Sequence, residues 1–233
     1  MSMGKGQKNP FRADLHMHTR HSVDSLAKVE NVLEAAMKKG LDAIAITDHN
    51  EVAGAFEAAK IAKQKKLPLQ IIIGEEVMCK EGDLLVYFLK KRIAPGPLDD
   101  VLKEVKKQGA VCSSAHPYDF KRSGIKLEKL PPSLLKQIDA IEAFNARITF
   151  PAHNSQAEKF ARLHKKPVLA GSDAHHPLEV GGAYAEFVGV SKLTASNILS
   201  AKRALHGRLS SPFVHFFSRY AMLKKKFSKA HKR

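Results

Sequence analysis

The sequence predicts an α/β protein built on a largely parallel sheet or barrel. Short β-rich segments alternate with helix-like ones along the 233 residues, which is the pattern of βαβ units. That length lies within what one α/β barrel occupies, so a single sizeable core suffices. The chemically unusual polar residues fall at the C-terminal ends of the strand-like runs, the edge where parallel α/β proteins bind their ligands.

Strands are expected over residues 13–18, 41–47, 69–78, 84–89, 110–115, 139–144 and 167–171, each an apolar run. Helices fill most of the gaps. The segment 28–39 places Val32, Leu33, Ala36 and Met37 near one face before Gly40 stops it, and 51–66 ends ahead of Pro68. Further helices are expected over 98–108, before Gly109, and over 152–164 and 194–206. A shorter one begins at Pro131-Pro132-Ser133. The expected division is a barrel over 1–211 and a basic, aromatic tail or final helix over 212–233.

Hydrophobic residues make up 44% of the chain and charged ones 27%, as in a globular protein. The apolar runs 69–73 and 84–89 are too short to cross a bilayer, and the N-terminus is polar and basic rather than signal-like. A soluble, cytoplasmic protein with no membrane partner is expected. The only cysteines, Cys79 and Cys112, form no CxxC pair, which argues against a disulfide scaffold or a thiolate zinc site and for buried, inert thiols. The net charge of +16 suits a phosphorylated substrate or a polyanionic partner. Part of it lies in Arg219, Lys224, Lys225, Lys226, Lys229, Lys232 and Arg233, with no acidic residue among them; such blocks are commonly solvated tails.

The polar clusters at the strand ends carry the chemistry. In Asp14-Leu15-His16-Met17-His18, residues two apart on a strand share a side, so His16 and His18 can grip one ion; His21 and Asp24 follow. Thr47-Asp48-His49 leaves the next strand, where Asp48 can cap a helix or orient an imidazole. Gly74-Glu75-Glu76 puts consecutive carboxylates at a strand end, and only one of them can share the direction of His16. His116 ends another strand, and Asp173 and His175 repeat the two-residue spacing. Any one of these histidines is unremarkable, but chance would scatter most of the twelve over helix surfaces and loops.

Imidazoles mixed with carboxylates, without thiolates, suit Zn²⁺, Mn²⁺ or iron. So many donors imply more than one ion, and paired cations roughly 3.5–4 Å apart clamp both oxygens of a phosphoryl displacement. Such a cation lowers the pKa of bound water from about 15.7 to about 7, so hydroxide is supplied near neutral pH without a serine or cysteine nucleophile. The sequence contains no GxSxG elbow and no P-loop.

The ordered series DLHMHT, ITDHN, GEE, AHP and GSDAH, from Asp14 to His175, resembles the signature motifs of the PHP family, named for polymerase and histidinol phosphatase. The resemblance implies a distorted (β/α)7, TIM-like barrel carrying two or three divalent cations at the C-terminal ends of its strands, and phosphoester hydrolysis as the reaction. It further implies that His16, His18, Glu75 and Asp173 hold a first metal, with Glu75 bridging to a second bound by His116. Asp24, His49 and His175 would hold a third. Where many relatives place another histidine for the second metal, this chain has Asn145.

The catalytic set expected is therefore His16, His18, Glu75, His116, Asp173 and His175. Arg147, two residues beyond Asn145, is a candidate to bind a substrate phosphate through its forked guanidinium. Tyr118, Lys121 and Arg122 lie in the loop after His116, and His21 and His176 flank the motifs. The leading expectation is a metal-dependent phosphoesterase acting on a phosphorylated small molecule or nucleotide. The alternatives are a nuclease working on RNA or DNA ends, aided by the basic tail and its aromatic residues, and a non-catalytic nucleic-acid-binding module. The ligand set weighs against the last, because mutually repelling buried groups are costly without a metal.

Overall fold

The computed structural model describes residues 9–211 and 213–230. Lys232 and Arg233 of the expected tail lie outside them. The strands are β1 (Phe11–Met17), β2 (Ala43–Ile46), β3 (Gln70–Cys79), β4 (Gly82–Tyr87), β5 (Val111–Ser114), β6 (Ala140–Asn145), β7 (Val168–Gly171), β8 (Ala183–Phe187) and β9 (Arg203–Gly207). The helices are α1 (Val29–Lys38), α2 (Ala53–Gln64), α3 (Leu98–Gln108), α4 (Pro132–Gln137), α5 (Pro151–Leu163) and α6 (Val214–Ala230). Among the described residues, no helix is long and apolar enough to cross a membrane.

The strands form one mixed sheet in the order β7-β6-β5-β4-β3-β2-β1-β8-β9. β1, β2 and β3 are parallel, as are β5, β6 and β7, while β4 runs against both its neighbours, β8 runs against β1, and β9 runs against β8. The sheet curls until it is nearly closed. Asp173 N donates to His16 O at 2.7 Å and His18 N to Ala174 O at 2.8 Å, joining the end of β7 to the end of β1. Gly171 permits this approach, because a Cβ there would lie 2.2 Å from the His16 Cβ.

Small and large apolar residues fill the barrel interior, among them Ala13, Leu15, Ala45, Ile72, Leu85 and Tyr87. Outside the wall, α1 and α2 cover β1 to β3 through Val32, Leu33, Ala55 and Ala58. On the other side, α3 and α5 pack on β4 to β6 through Leu98, Leu102 and Phe160. The inward and outward residues of each strand therefore sit in two distinct apolar layers, which makes the facing of any residue checkable against its neighbours.

Two expectations are corrected. The antiparallel strands β4, β8 and β9 make the sheet more mixed than the alternation of elements suggested. The segment 194–206 is also not one helix: turns occupy its first half and β9 its end. Two side chains account for this. Asn197 Oδ1 accepts from Thr194 N and Asn197 Nδ2 donates to Lys192 O, closing a tight local loop. The Arg203 guanidinium then satisfies the carbonyls of Ile198, Leu199 and Ala201, which a continuing helix would otherwise have bonded.

Candidate metal centre

Two irregular strands set the facing of the site. In β1, Asp14 pairs with Ile44 and Met17 with Ile46, so Leu15 and His16 together oppose the single residue Ala45. This extra residue is a bulge, and it shifts the strand's phase. Leu15 stays in the interior core, Met17 passes to the outer layer, and His16 and His18 turn toward the barrel mouth. β6 has a similar shift between Glu142 and Phe144, after which Glu142 and Asn145 reach each other although three residues apart.

β3 decides between the two consecutive glutamates. Glu76 pairs with Leu85 of the interior core, and Glu75 pairs with Val86 of the outer layer. The carboxylate among the histidines is therefore Glu76. Glu75 points away, accepts from Ile93 N at 2.8 Å and lies 4.0 Å from Arg92. The expected placement of Glu75 among the ligands is corrected: strand alternation gives the inward position to its neighbour.

Around Glu76 the donors converge closely. His16 Nε2 and His18 Nε2 stand 3.1 Å apart, and each is 3.3 Å from Glu76 Oε2. Atoms bound tetrahedrally about 2.1 Å from one cation lie about 3.4 Å from each other, so this triangle has the dimensions of a coordination set. Asp173 Oδ1 faces the same imidazoles at 3.7 and 3.4 Å. Glu76 Oε1 meets His116 Nε2 at 3.0 Å, and Asp83 completes that group. A third group gathers His18, Asp24, His49 and His175, with Asp24 Oδ2 2.8 Å from His175 Nε2 and 3.5 Å from His49 Nε2.

The donors fit divalent cations better than they fit one another. Asp24 Oδ1, Asp83 Oδ1 and His116 Nδ1 are buried without a hydrogen-bond partner among the described residues. Groups so placed are costly unless something completes them. Backbone strain points the same way: His116 and Asp173 both have positive φ, at 29° and 56°, a conformation that side-chain-bearing residues hold only when the surroundings impose it.

The electrostatics are those of a dense mixed cluster. Burial alone would lower the pKa of His16, but Asp173, Glu142 and Glu76 outweigh it and raise it well above the ordinary value. His49 behaves alike: against burial, Glu76 and Asp24 raise it to about 9. His175 goes the other way. Burial, then the neighbouring His18, and Arg147 lower it to about 3 despite Asp24, keeping that imidazole neutral. Burial opposes ionisation of Glu76 and Asp173, yet the facing cations hold both far below the usual carboxylate range.

Supporting residues fix these orientations. Glu142 Oε1 accepts from His16 Nδ1 at 2.8 Å, directing Nε2 into the cluster, and Glu142 Oε2 accepts from His116 N at 2.6 Å. Ser22 Oγ lies 2.9 Å from His18 Nδ1 and accepts from His49 N. Asp48 accepts from Thr19 N and Oγ1, tying down the loop after β1 rather than capping α2 or touching an imidazole. Glu142, Asp83 and Ser22 were not singled out from sequence. Glu142 sits inside an apolar strand, and Asp83 opens β4, whose reversed direction brings a strand's beginning to the edge where the others end.

Other expected residues lie elsewhere. Asn145 Nδ2 donates to Glu142 at 3.1 Å and Asp173 at 3.0 Å, and its Oδ1 accepts from Arg147 N. It is a brace between carboxylates, and Asp83 takes the place beside Glu76 and His116. Arg147 is only 3% exposed, and its donors face inward. It lies against His175 and 3.0 Å from Glu179, and donates to Val214 O and Ser218 Oγ of α6. It therefore cannot meet an incoming phosphate as placed. Arg122, paired with Asp173 and part exposed, is the arginine at the mouth. His21 pairs with Glu57, and His176 stacks on Phe217. A cavity of about 640 Å³ between α1 and α6 reaches His175 and His176.

Fold and site together define a barrel with a buried cluster of histidines and carboxylates, placed as metal ligands could be, at one mouth. Residues 14–156 match the family model of the PHP domain and residues 151–205 that of the PHP-associated region. The chain belongs to the PHP domain family. Two uncharacterized proteins of Methanocaldococcus jannaschii are each 33% identical to it: one over 149 residues, covering 58% of this chain and 82% of the relative, the other over 182 residues, covering 76% and 70%. A crystal structure of a two-domain Bacteroides vulgatus protein, described as containing a predicted PHP-like metal-dependent phosphoesterase, superposes with a TM-score of 0.68. It is 18% identical, over 95% of this chain and 74% of that one, a likeness of fold.

Proposed function

We propose that the protein is a metal-dependent phosphoesterase that hydrolyses a phosphomonoester or phosphodiester of a small molecule or nucleotide. The observation that carries this reading is the convergence of His16 Nε2, His18 Nε2 and Glu76 Oε2 within 3.3 Å of one another. The description of the Bacteroides vulgatus protein supports the same chemistry. His16, His18, Glu76 and Asp173 would hold one cation, Glu76, Asp83 and His116 a second, and Asp24, His49 and His175 a third. Bound there, zinc, manganese or iron would acidify water and neutralise phosphoryl oxygens.

The chain's own groups supply positioning. Glu142 keeps His16 and the His116 backbone oriented, and the strained backbone at Asp173 sets its carboxylate toward the imidazole pair. Arg122 would exchange its hold on Asp173 for a phosphate oxygen, since both are oxyanions that a guanidinium binds by paired hydrogen bonds. Arg122→Ala is then expected to raise KM about tenfold or more with metal content unchanged, as the loss of a charged hydrogen bond implies.

The test is elemental analysis of the purified chain, with hydrolysis of a generic phosphomonoester and phosphodiester measured before and after chelation and after Mn²⁺, Zn²⁺ or iron is returned. Bound metal and chelator-sensitive turnover that the metal restores are expected. Protein that takes up none of these metals and hydrolyses neither ester would overturn the proposal.

A further inference from the structure

Helix α6 presents two opposite stripes. Val214, Ser218, Ala221 and Lys225 recur at helical spacing and face the barrel: Ser218 and Ala221 are buried, Val214 O and Ser218 Oγ receive Arg147, and Lys225 Nζ donates to Arg20 O and Ser22 O. Half a turn away, Phe216, Tyr220, Leu223 and Phe227 repeat the same spacing and face outward. They are joined by Phe213 just ahead of the helix, and each is more than half exposed. Arg219 and Lys226 flank this apolar stripe on one side and Lys224 on the other. From Phe213 onward the sequence contains no acidic residue.

An outward crest of aromatic and aliphatic side chains bordered by cations is the arrangement that seats a helix in the boundary layer of a bilayer, rings among the acyl chains and cations at the headgroups. We infer that α6 docks the protein on an anionic lipid surface, with the Phe216–Tyr220–Leu223–Phe227 stripe entering the membrane boundary and Arg219 and Lys226 pairing with headgroup phosphates. Such docking would depart from the expectation of no membrane partner, with the helix lying on the surface and not crossing it.

Charge complementarity selects this occupant. A second copy of the chain would bring a net charge of +16 against +16. A nucleic acid would put its phosphates beside the cations, but it offers nothing to Leu223 and Met222, which are exposed with the rings. An anionic bilayer satisfies both the apolar crest and its charged borders. Because the cavity beside His175 opens between α1 and α6, docking would bring that entrance close to the lipid surface.

The full chain is tested by co-sedimentation with phosphatidylcholine vesicles, with and without phosphatidylglycerol, at low salt. Binding to the anionic vesicles alone is expected. Leu223→Glu or Phe227→Glu should weaken it at least about tenfold, and so should Arg219→Ala combined with Lys226→Ala. Unchanged metal content in each variant shows that the body of the protein is intact. The chain has no tryptophan, so Leu223→Trp gives one reporter, whose emission should shift to the blue on anionic vesicles. Failure of the full chain to bind anionic vesicles overturns the inference, as does binding that Leu223→Glu leaves unchanged. Preferential binding of a single-stranded oligonucleotide through the same stripe, or self-association in place of vesicle binding, overturns it as well.

Discussion

Midway along β3, the inner and outer faces of the barrel wall treat adjacent carboxylates in opposite ways. Glu76, on the inner face, is met by His16, His18, His49 and His116, all within 3.3 Å, and is held far below the usual carboxylate range. Glu75, on the outer face, has one backbone amide and a distant arginine, and burial raises it to about 7. Both side chains are fully buried. Burial of a charge therefore does not by itself mark the site. The number of donors that converge on the charge does, and one residue of strand phase decides which glutamate receives them.

The sharpest way to break this comparison is Glu76→Gln. It removes the charge shared by two candidate cation groups, and metal content should fall together with a turnover loss of about 10²–10³-fold; a fully loaded, fully active variant would remove Glu76 from the centre. His16→Ala and Asp173→Ala should behave alike, with circular dichroism showing the fold retained. Glu142→Ala acts through His16 and the His116 backbone, so its expected effect is smaller, about 10–100-fold in metal affinity measured by competition with a chromogenic chelator. Glu75→Gln should have the smallest effect. Metal content and turnover should match the unaltered chain, and urea unfolding should show unchanged or slightly greater stability, by about 1 kcal/mol, because a poorly solvated carboxylate is replaced by an amide that still accepts from Ile93 N.

The same contrast explains what sequence could reveal. His16, His18, His49, His116, Asp173 and His175 were legible because imidazoles at the ends of apolar strands have few other reasons to be there, and the structure brings all of them together. Asp24 joins them from the loop after β1. The choice between Glu75 and Glu76 was not legible, because both positions look alike until the register with Leu85 and Val86 is known. Asp83 was hidden by the reversed direction of β4, and Glu142 by its apolar surroundings. Arg147 read as a phosphate ligand from its place after Asn145, whereas Glu179, Val214 and Ser218, all far along the chain, claim it. β8 and β9 were missed for a related reason: their identity rests on pairing with β1 and on Arg203 capping a turn, which local periodicity does not encode.

The bulge in β1 has a consequence for how such a chain can change. Upstream of it, the phase of the strand serves the packed interior, and downstream it serves the imidazoles, so the two demands meet at the one extra residue opposite Ala45. Paired regularly, without the bulge, the same residues would carry Met17 into the interior and turn His16 and His18 out of the site. A related chain can therefore hold the imidazole pair inward either with this bulge or with the strand one residue shorter, and a one-residue gap here does not by itself mark a lost site.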